Sequence, residues 1–199
     1  MNTQTTPINF AAARRAMIDS QLRTSGVNEA FVLGRMGDVA REDFVPEGAR
    51  GTAYMDRAIR LDDGGSLPSP LFHGMMLAEA RPQSGDTVLI VSGGSDYLAE
   101  LVRPLVASVE VISAADGAAG KAKTKNASLL LIDGAVQELP AKLTNRLADD
   151  GRVVAGLIED GVTRLAAGRK AGKGAALIAL AEIGAPRIGA FDKEESWSF

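Results

Sequence analysis

The sequence predicts an α/β fold in which a doubly wound, mostly parallel sheet is preceded by helices and followed by an antiparallel hairpin. Three short, largely aliphatic runs carry this prediction: Thr87–Val91, Val109–Ile112 and Leu129–Ile132. Runs of this length and composition are typical of strands that are buried on both faces of a parallel sheet. The first run continues into a glycine turn and then a helical segment. That order, repeated along the chain, implies parallel strands joined by right-handed crossovers.

The N-terminal third is predicted to be a helical and irregular cap on this core. Phe10–Leu22 is rich in strong helix formers, and Asn28 is placed to cap a second helix that continues to Met36. Residues 41–70 contain prolines and glycines without a sustained period, which indicates an ordered irregular segment. Leu71–Arg81 is expected to be helical because its composition favours a helix and a proline follows it.

The rest of the core is predicted to alternate between helices and strands up to the hairpin. The expected elements are helices over Tyr97–Leu105 and Leu139–Leu147 and strands over Arg152–Leu157, Val162–Lys170 and Ala175–Glu182. The last two strands flank the turn 171–174 and form the hairpin.

The pattern as a whole predicts one domain over residues 1–199. It divides into a flexible tail (1–9), the cap (10–81) and the α/β core (82–199). Near the end of the chain, Trp197 and Phe199 are expected to form or flank a last strand.

Composition excludes several classes of function. The 199 residues contain 22 Lys and Arg against 25 Asp and Glu, and a net charge of -3 disfavours nucleic acid and anionic membranes as partners. The chain has no cysteine and one histidine, His73, so a disulfide framework, a thiolate nucleophile and any site that needs two imidazoles are excluded. With no apolar run long enough for a spanning helix and no signal-peptide pattern at the start, the expected location is cytoplasmic.

The segment Val88–Tyr97 (VLIVSGGSDY) places two glycines at the carboxyl end of the first predicted strand. In doubly wound sheets ligands bind beyond this end, where glycines let the backbone approach and a helix N-terminus supplies donors. The segment does not match GxGxxG, so a plain strand-to-helix turn explains these residues equally well. The candidate ligand-binding residues of this loop are Ser92, Gly93, Gly94, Ser95 and Tyr97.

Several separated motifs resemble the protein-L-isoaspartate O-methyltransferase family. They are QLRTSGVNEAFVLGRMGDVAREDFVPE at 21–47, AYMD at 53–56, SPLFHGMMLAEARPQSGDTVLIVSGGSDY at 69–97 and LPAKLTNRLADDGRVV at 139–154. The resemblance covers about residues 10–199. It implies a class I, Rossmann-like methyltransferase fold that binds S-adenosylmethionine and methylates isoaspartyl carboxylates in damaged proteins.

The loop departs from the family pattern at positions that, by the resemblance, would contact the cofactor. The family's loop runs approximately E-I-G-T-G-S-G-Y, so its acidic residue falls on Ile90, its first glycine on Ser92 and its last on Asp96. Asp96 would place a carboxylate close to the carboxylate of the cofactor, and such a contact between like charges is unfavourable.

Two further departures concern the nucleoside end of the cofactor. The acid that the resemblance places after the second strand falls on Ser113; Asp116 is close enough to replace it, and a turn aspartate is the alternative interpretation. Only fifteen residues, 114–128, separate this position from the third strand, whereas a whole crossover unit needs about thirty. Half of the adenine pocket is therefore expected to be missing.

On the substrate side, the family's serine in T-I-S-Q-P falls on Pro68, which has neither a hydroxyl nor an N–H group. Ser66 and Ser69 flank it and are weak candidates for catalysis. Asp133 follows the third strand, where relatives place residues that face the cofactor, and a turn residue is the alternative. His73 is expected to be packed or exposed rather than catalytic, because methyl transfer to an ionised carboxylate needs no general base.

These observations leave two hypotheses. The favoured one is a degenerate member of the family that has weakened or lost S-adenosylmethionine binding, has no cofactor, and serves a structural or protein-binding role with an unknown partner. The alternative is an active methyltransferase that uses S-adenosylmethionine on a protein or peptide substrate. No metal site is expected, and the sequence predicts no oligomeric state.

Overall fold

The computed structural model describes residues 8–193, and in it a six-stranded sheet forms the centre of the protein. A separate two-stranded hairpin precedes this sheet. The strands in chain order are β1 (Ile59–Arg60), β2 (Ser66–Leu67), β3 (Thr87–Ser92), β4 (Ser108–Ser113), β5 (Ala127–Val136), β6 (Leu147–Glu159), β7 (Val162–Ala171) and β8 (Gly174–Glu182). The helices are α1 (Phe10–Met17), α2 (Ala30–Asp38), α3 (Pro70–Ala80), α4 (Tyr97–Val102), α5 (Ala114–Ala119) and α6 (Ala141–Thr144).

The sheet has the order β4-β3-β5-β6-β7-β8. Strands β4, β3, β5 and β6 are parallel, whereas β7 and β8 are antiparallel to their neighbours. The predicted doubly wound sheet with a C-terminal antiparallel hairpin is therefore confirmed. The chain turns from β4 on one side of β3 to β5 on the other, so the point where the strand order reverses lies between β3 and β5.

The short crossover is also present as the sequence predicts. Residues 114–126 contain only the six-residue α5 and no strand, and β4 is the edge of the sheet. The side of β4 away from β3 thus has no further strand among the described residues.

Side chains alternate between the two faces of the sheet, as the two-residue repeat of a strand requires. On one face Val88, Ile90, Leu129 and Leu131 pack with the N-terminal cap, α3 and α4. On the other face Val91, Leu130 and Ile132 belong to a second core that contains Phe191 from the C-terminal segment. The cap and the C-terminal segment therefore cover opposite faces.

Two local predictions are wrong. The helix expected over Leu139–Leu147 is limited to α6, because Leu147 is the first residue of β6 and is paired with Ala127 of β5. The apolar spacing that suggested a longer helix comes from Leu143, which is buried in α6, and Leu147, which is buried in β6. Asn28 does not cap α2: Glu29 is the cap residue, and its carboxylate accepts from the Asn28 N–H.

The other helices differ from expectation at their ends. The first helix leaves regular α geometry after Met17 and continues as a π turn over Ile18–Leu22. Helix α4 ends at Val102 and is followed by a 3-10 turn that contains Pro104. Ring constraints at a proline explain why the α-helix stops before it.

Residues 1–7 and 194–199 lie outside the described residues, and with them most of the predicted tail and the last strand expected around Trp197 and Phe199. The division into tail, cap and core within one domain remains a prediction. Across residues 8–193 no helix has the length and apolar character needed to cross a bilayer.

Candidate functional site

The two serine side chains of the glycine loop after β3 are hydrogen-bonded within the loop. The Ser92 hydroxyl accepts from the Gly94 N–H at 3.0 Å and donates to the Ser95 carbonyl at 3.1 Å. The Ser95 hydroxyl accepts from the Tyr97 N–H at 3.1 Å. Backbone N–H groups of such loops are the donors that bind anionic ligands. In this loop two of them are already hydrogen-bonded to serine hydroxyls.

Both glycines of the loop pack against other parts of the chain. A Cβ atom on Gly93 would overlap the Asp133 carbonyl oxygen and lie 3.0 Å from the Ser66 carbonyl oxygen. A Cβ atom on Gly94 would lie 2.8 Å from the Cα of Gly65, in the turn between β1 and β2. The Gly93 carbonyl oxygen accepts from the Ser66 N–H at 2.8 Å. Close backbone packing within the protein is therefore sufficient to explain why glycine occupies these two positions.

Asp133 was expected to follow the third strand, but it lies within β5, and its side chain points into the protein rather than toward a ligand. Its side chain is 1% exposed and accepts from His73 Nε2, with 2.7 Å between Oδ1 and the nitrogen. His73 Nδ1 in turn lies 3.2 Å from Nη1 of Arg41. A guanidinium group can only donate, so Nδ1 accepts and the ring proton is on Nε2, where it points to Asp133. The arrangement is a buried chain of an arginine cation, a neutral imidazole and a carboxylate.

This buried chain joins four segments of the protein. Arg41 donates through Nε to the Ala53 carbonyl oxygen at 2.7 Å and through Nη2 to the Pro68 carbonyl oxygen. Within the cap it thereby connects the 3-10 turn Arg41–Phe44 to the segment before α3, and His73 connects α3 to β5 of the core. Burial lowers the pKa of His73, although the Asp133 carboxylate partly raises it. The Oδ2 atom of Asp133 is buried and has no hydrogen-bond partner among the described residues.

Tyr97, predicted as a ligand-binding residue, also belongs to this interior. Its ring is fully buried and lies 5.4 Å from the Phe44 ring and 5.3 Å from the His73 ring, measured between centroids. The Arg41 guanidinium lies 5.0 Å from the centroid of the same ring, in the position of a cation–π contact. Burial raises the pKa of the Tyr97 hydroxyl, although Arg41 partly lowers it. Tyr97 thus holds the cap against α4.

Asp116 lies in the first turn of α5 and has an internal partner. The Ser113 hydroxyl donates to its carboxylate at 2.9 Å and accepts from its N–H at 3.1 Å. Ser113 is the N-cap residue of α5, and the same hydroxyl that accepts from the Asp116 N–H also donates to the Asp116 carboxylate. The structure therefore gives both residues a role at the start of α5.

Ser66 and Ser69 occupy different environments. Ser69 is buried and caps α3, where its hydroxyl accepts from the Phe72 N–H at 3.3 Å. Ser66 is half-buried in β2. Both serines line a cavity of about 550 Å³ together with Arg57 and Arg60. The cavity combines hydroxyl groups with two cations and one carboxylate, Asp56, so the two arginines are the groups in it that could bind a carboxylate.

A second cavity, of about 440 Å³, touches the glycine loop from the side of the cap. Its walls include Gly94, Ser95 and Asp96 but neither Asp116 nor Asp133. Four of its residues are carboxylates: Asp43, Asp62, Asp63 and Asp96. Among residues 8–193, no lysine or arginine lines it. The electrostatic environment beside the loop is therefore acidic.

No sequence pattern indicated Arg41, although its side chain contacts Ala53, Pro68, His73 and Tyr97 at the centre of this region. A single arginine in an irregular segment resembles any solvated surface residue. Only the fold brings its partners together, since they lie 12, 27 and 32 positions along the chain. Residues 8–193 contain no group of three or more His, Asp or Glu side chains that could hold a metal ion.

Comparison with known proteins identifies the family. The model of the protein-L-isoaspartate(D-aspartate) O-methyltransferase (PCMT) family matches residues 12–114. A protein-L-isoaspartate O-methyltransferase of Koribacter versatilis is 30% identical over 169 residues, which cover 73% of this chain and 76% of that protein. One of Roseiflexus sp. is 29% identical over 171 residues, which cover 74% and 78% of the two chains.

Solved structures show the same fold. The crystal structure of a protein of this family from Plasmodium falciparum, in complex with S-adenosyl-L-homocysteine, superposes with a TM-score of 0.68 at 15% identity and covers 91% of this chain and 98% of its own. Another protein-L-isoaspartate O-methyltransferase structure gives a TM-score of 0.69 at 15% identity, with 88% and 66% covered. The sheet is that of a class I methyltransferase, and the chain belongs to the protein-L-isoaspartate(D-aspartate) O-methyltransferase family.

Proposed function

We propose that this chain is a member of the family that does not bind S-adenosylmethionine and that serves a structural or protein-binding role. The observation that carries the proposal is the packing at the reversal point between β3 and β5. There Gly93 lies against the Asp133 and Ser66 carbonyl oxygens, and Asp133 itself is bonded to His73 in the interior. A ligand at the carboxyl ends of these strands would have to displace the protein's own backbone.

The residues at the nucleoside end also do not fit the cofactor. The Asp116 carboxylate is bonded to the Ser113 hydroxyl at the start of α5. Gly117 of the same helix packs against Phe191, whose ring would lie 3.1 Å from a Cβ atom at that glycine. In a doubly wound fold the adenosine is held by an acid after the second strand and by the next crossover. Here the acid is engaged and the crossover lacks a strand.

The amino-acid end of the cofactor meets a mixed environment. It carries a carboxylate and an ammonium group beside the sulfonium, and four aspartates line the open side of the loop, with no lysine or arginine among the described lining residues. Like charges in a partly desolvated site repel, so the carboxylate of the cofactor finds no cation there, whereas the same aspartates would attract its ammonium group. Packing and hydrogen bonding therefore support the proposal, and charge does not decide it.

The test is a binding titration followed by a transfer assay. S-adenosylmethionine and S-adenosylhomocysteine are titrated into the protein by calorimetry, with the Koribacter versatilis relative as the control. We expect no heat of binding up to about 1 mM ligand, which corresponds to a binding free energy weaker than about -4 kcal/mol. The same samples are assayed for methyl transfer to an isoaspartyl peptide. Micromolar binding by this chain would overturn the proposal.

A double variant sharpens the test. Ser92→Gly with Asp96→Gly replaces the two side chains at the family's glycine positions. If only these side chains exclude the cofactor, the variant should bind it. We expect it not to bind, because the contacts that close the site come from the backbone of Ser66, Gly65 and Asp133.

A second candidate function is methyl transfer to isoaspartyl carboxylates, and the cavity lined by Ser66, Ser69, Arg57 and Arg60 favours it. In that function S-adenosylmethionine would supply the activated methyl group. The arginines would bind and orient the carboxylate, which is already ionised near neutral pH and needs no general base. Turnover that is lost in Arg57→Met and Arg60→Met variants would establish this function.

In either role we propose a cytoplasmic location, which is supported by the absence of cysteine from the sequence.

A further inference from the structure

The outer edge of β8 is a long strand edge that is unpaired in the described part of the chain. Strand β8 is hydrogen-bonded to β7 alone, and Gly174–Ala181 contains neither a charged residue nor a proline. The side chains of Ile178 and Leu180 are 69% and 48% exposed. Natural proteins usually protect such edges with charges, prolines, bulges or a covering segment, because an unprotected edge pairs with another strand.

A bulge divides this edge into two parts. Leu165 and Ala166 are consecutive in β7, but their partners in β8 are Ala181 and Ala179, so Leu180 is an extra residue. A bulge twists the strand and interrupts its pairing. The six residues Gly174–Ala179 keep a regular register with β7. They form the part of the edge that is able to accept another strand.

We propose that this edge pairs with the same edge of a second copy of the chain, in an antiparallel arrangement through Ala175–Ala179. Charge favours a second copy in this direction. Lys173 precedes the uncharged segment and Glu182 follows it, so antiparallel pairing brings the basic end of each strand toward the acidic end of the other. A parallel arrangement would bring like charges together.

Side-chain size defines the register. A two-fold axis perpendicular to the sheet keeps each face of the strand on the same side, so a residue lies opposite itself or opposite one an even number of positions away. With Leu177 on the axis, each Ile178 lies opposite Ala176 of the other copy, and each Ala175 lies opposite Ala179. A large side chain then meets a small one on the exposed face, and two leucines meet on the other face. The result is a continuous sheet of twelve strands across two copies.

The first test measures the mass of the particle in solution by light scattering and sedimentation. We expect the wild-type protein to be dimeric at tens of micromolar and Ile178→Lys to be monomeric, because a lysine replaces the exposed apolar contact on each side of the axis. Met55→Lys is the matched control: Met55 is a large apolar side chain, 51% exposed, in a different part of the fold. It should remain dimeric. Combining Ile178→Lys with Ala176→Glu should restore the dimer, because the register places the two new charges opposite each other.

The second test uses the absence of cysteine in the chain. In the proposed register Leu177→Cys places two thiols directly opposite each other across the axis, within the reach of a disulfide. Ala175→Cys on the same strand places its thiol opposite Ala179 of the other copy. The two thiols are then separated by four residues along the strand, beyond the reach of a disulfide. We expect mild oxidation to cross-link the first variant and not the second. Urea unfolding of each variant establishes that it is folded.

A wild-type protein that stays monomeric at every concentration would overturn the proposal, as would a dimer that Ile178→Lys leaves intact. Cross-linking of Ala175→Cys in preference to Leu177→Cys would overturn the register. None of these results depends on whether the chain binds S-adenosylmethionine.

Discussion

The carboxyl ends of β3 and β5 and the outer edge of β8 are two regions of one sheet that differ in how their backbone groups are satisfied. At the strand ends, the Gly93 carbonyl is bonded to Ser66, the Gly94 N–H to Ser92, and the Asp133 side chain to His73. At the β8 edge, no described residue pairs with the outward-facing backbone. In class I methyltransferases the strand ends hold the small molecule. In this chain an unpaired strand edge among the described residues lies at β8, at the far side of the sheet from β4.

The largest loss of stability should come from substitution of Arg41, if the buried chain of Arg41, His73 and Asp133 holds the cap against the carboxyl ends of β3 and β5. Arg41→Met removes the buried cation that His73 links to the Asp133 carboxylate, and it leaves the Ala53 and Pro68 carbonyl oxygens without their donor. Breaking a buried charged group of this kind costs about 3–5 kcal/mol. Urea denaturation measures the free energy of unfolding. Arg57→Met is the control, since Arg57 is exposed and its loss should change stability by at most about 0.5 kcal/mol. A loss below about 1 kcal/mol for Arg41→Met would show that the buried chain does not hold this region.

The next effect concerns the close packing of the glycine loop. Gly93→Ala places a methyl group against the Asp133 carbonyl oxygen, and overpacking of this kind costs about 1–3 kcal/mol. Gly34→Ala is the matched control: Gly34 lies in α2 with no neighbouring atom within 4 Å of the new Cβ. That change should stabilise the protein by up to about 1 kcal/mol, because alanine is the better helix former. Equal effects at the two glycines would mean that the loop is as open as the surface of a helix.

The third prediction uses the single histidine. Because burial lowers the pKa of His73, the unfolded chain binds a proton more readily than the folded one. Stability is therefore complete above the unfolded pKa of about 6.5 and is lost as the pH falls below it. The slope approaches about 1.4 kcal/mol per pH unit while only the unfolded state is protonated.

Unfolding curves between pH 5 and 7 measure this slope, and His73→Gln should remove it. The one imidazole signal in the NMR spectrum should report a neutral ring with its proton on Nε2 across the same range. A ring that titrates with an ordinary pKa would contradict the buried arrangement.

The smallest effect separates the two serines beside Pro68. Ser69→Ala removes the hydroxyl that caps α3 and should cost about 1 kcal/mol. Ser66→Ala should cost less than about 0.5 kcal/mol, because Ser66 holds the glycine loop through its backbone N–H group. Thermal unfolding of the two variants in parallel gives the comparison. The reverse order would assign Ser66 a side-chain role that the structure does not explain.

The sequence predicted the parts of the fold that follow from local pattern. Short aliphatic runs such as Leu129–Ile132 are typical of strands that are buried on both faces of a sheet. The alternation of such strands with helices predicts that the strands are parallel. The short segment 114–128 likewise predicted a missing strand from length alone. The error at Leu139–Leu147 arose because an apolar spacing of four residues suits a helix and also two separately buried leucines.

The candidate site was less predictable because its contacts join distant residues. Ser92 is the last residue of β3 and Ser95 follows it in the loop, and the hydroxyls of both bond within the loop. His73, expected to be packed or exposed, is packed, and its partners Arg41 and Asp133 lie 32 positions before and 60 after it. No local pattern shows that a histidine, an arginine and an aspartate at such separations will meet in the core.

Residues 186–188 of the C-terminal segment cover the end of β5, and this cover should open and close while the sheet stays folded. The Ala135 N–H donates to the Pro186 carbonyl at 2.7 Å, and the Ile188 N–H donates to the Ala135 carbonyl at 2.8 Å, so residues 186–188 form a short bridge beside the end of β5. Such a bridge can detach while the rest of the sheet stays folded, because few hydrogen bonds must break. The amides of Ala135 and Ile188 should then exchange with solvent deuterium together, and faster than those of Leu130 and Leu131 in the middle of the same strand. The rate of that exchange would measure how often the end of β5 is uncovered.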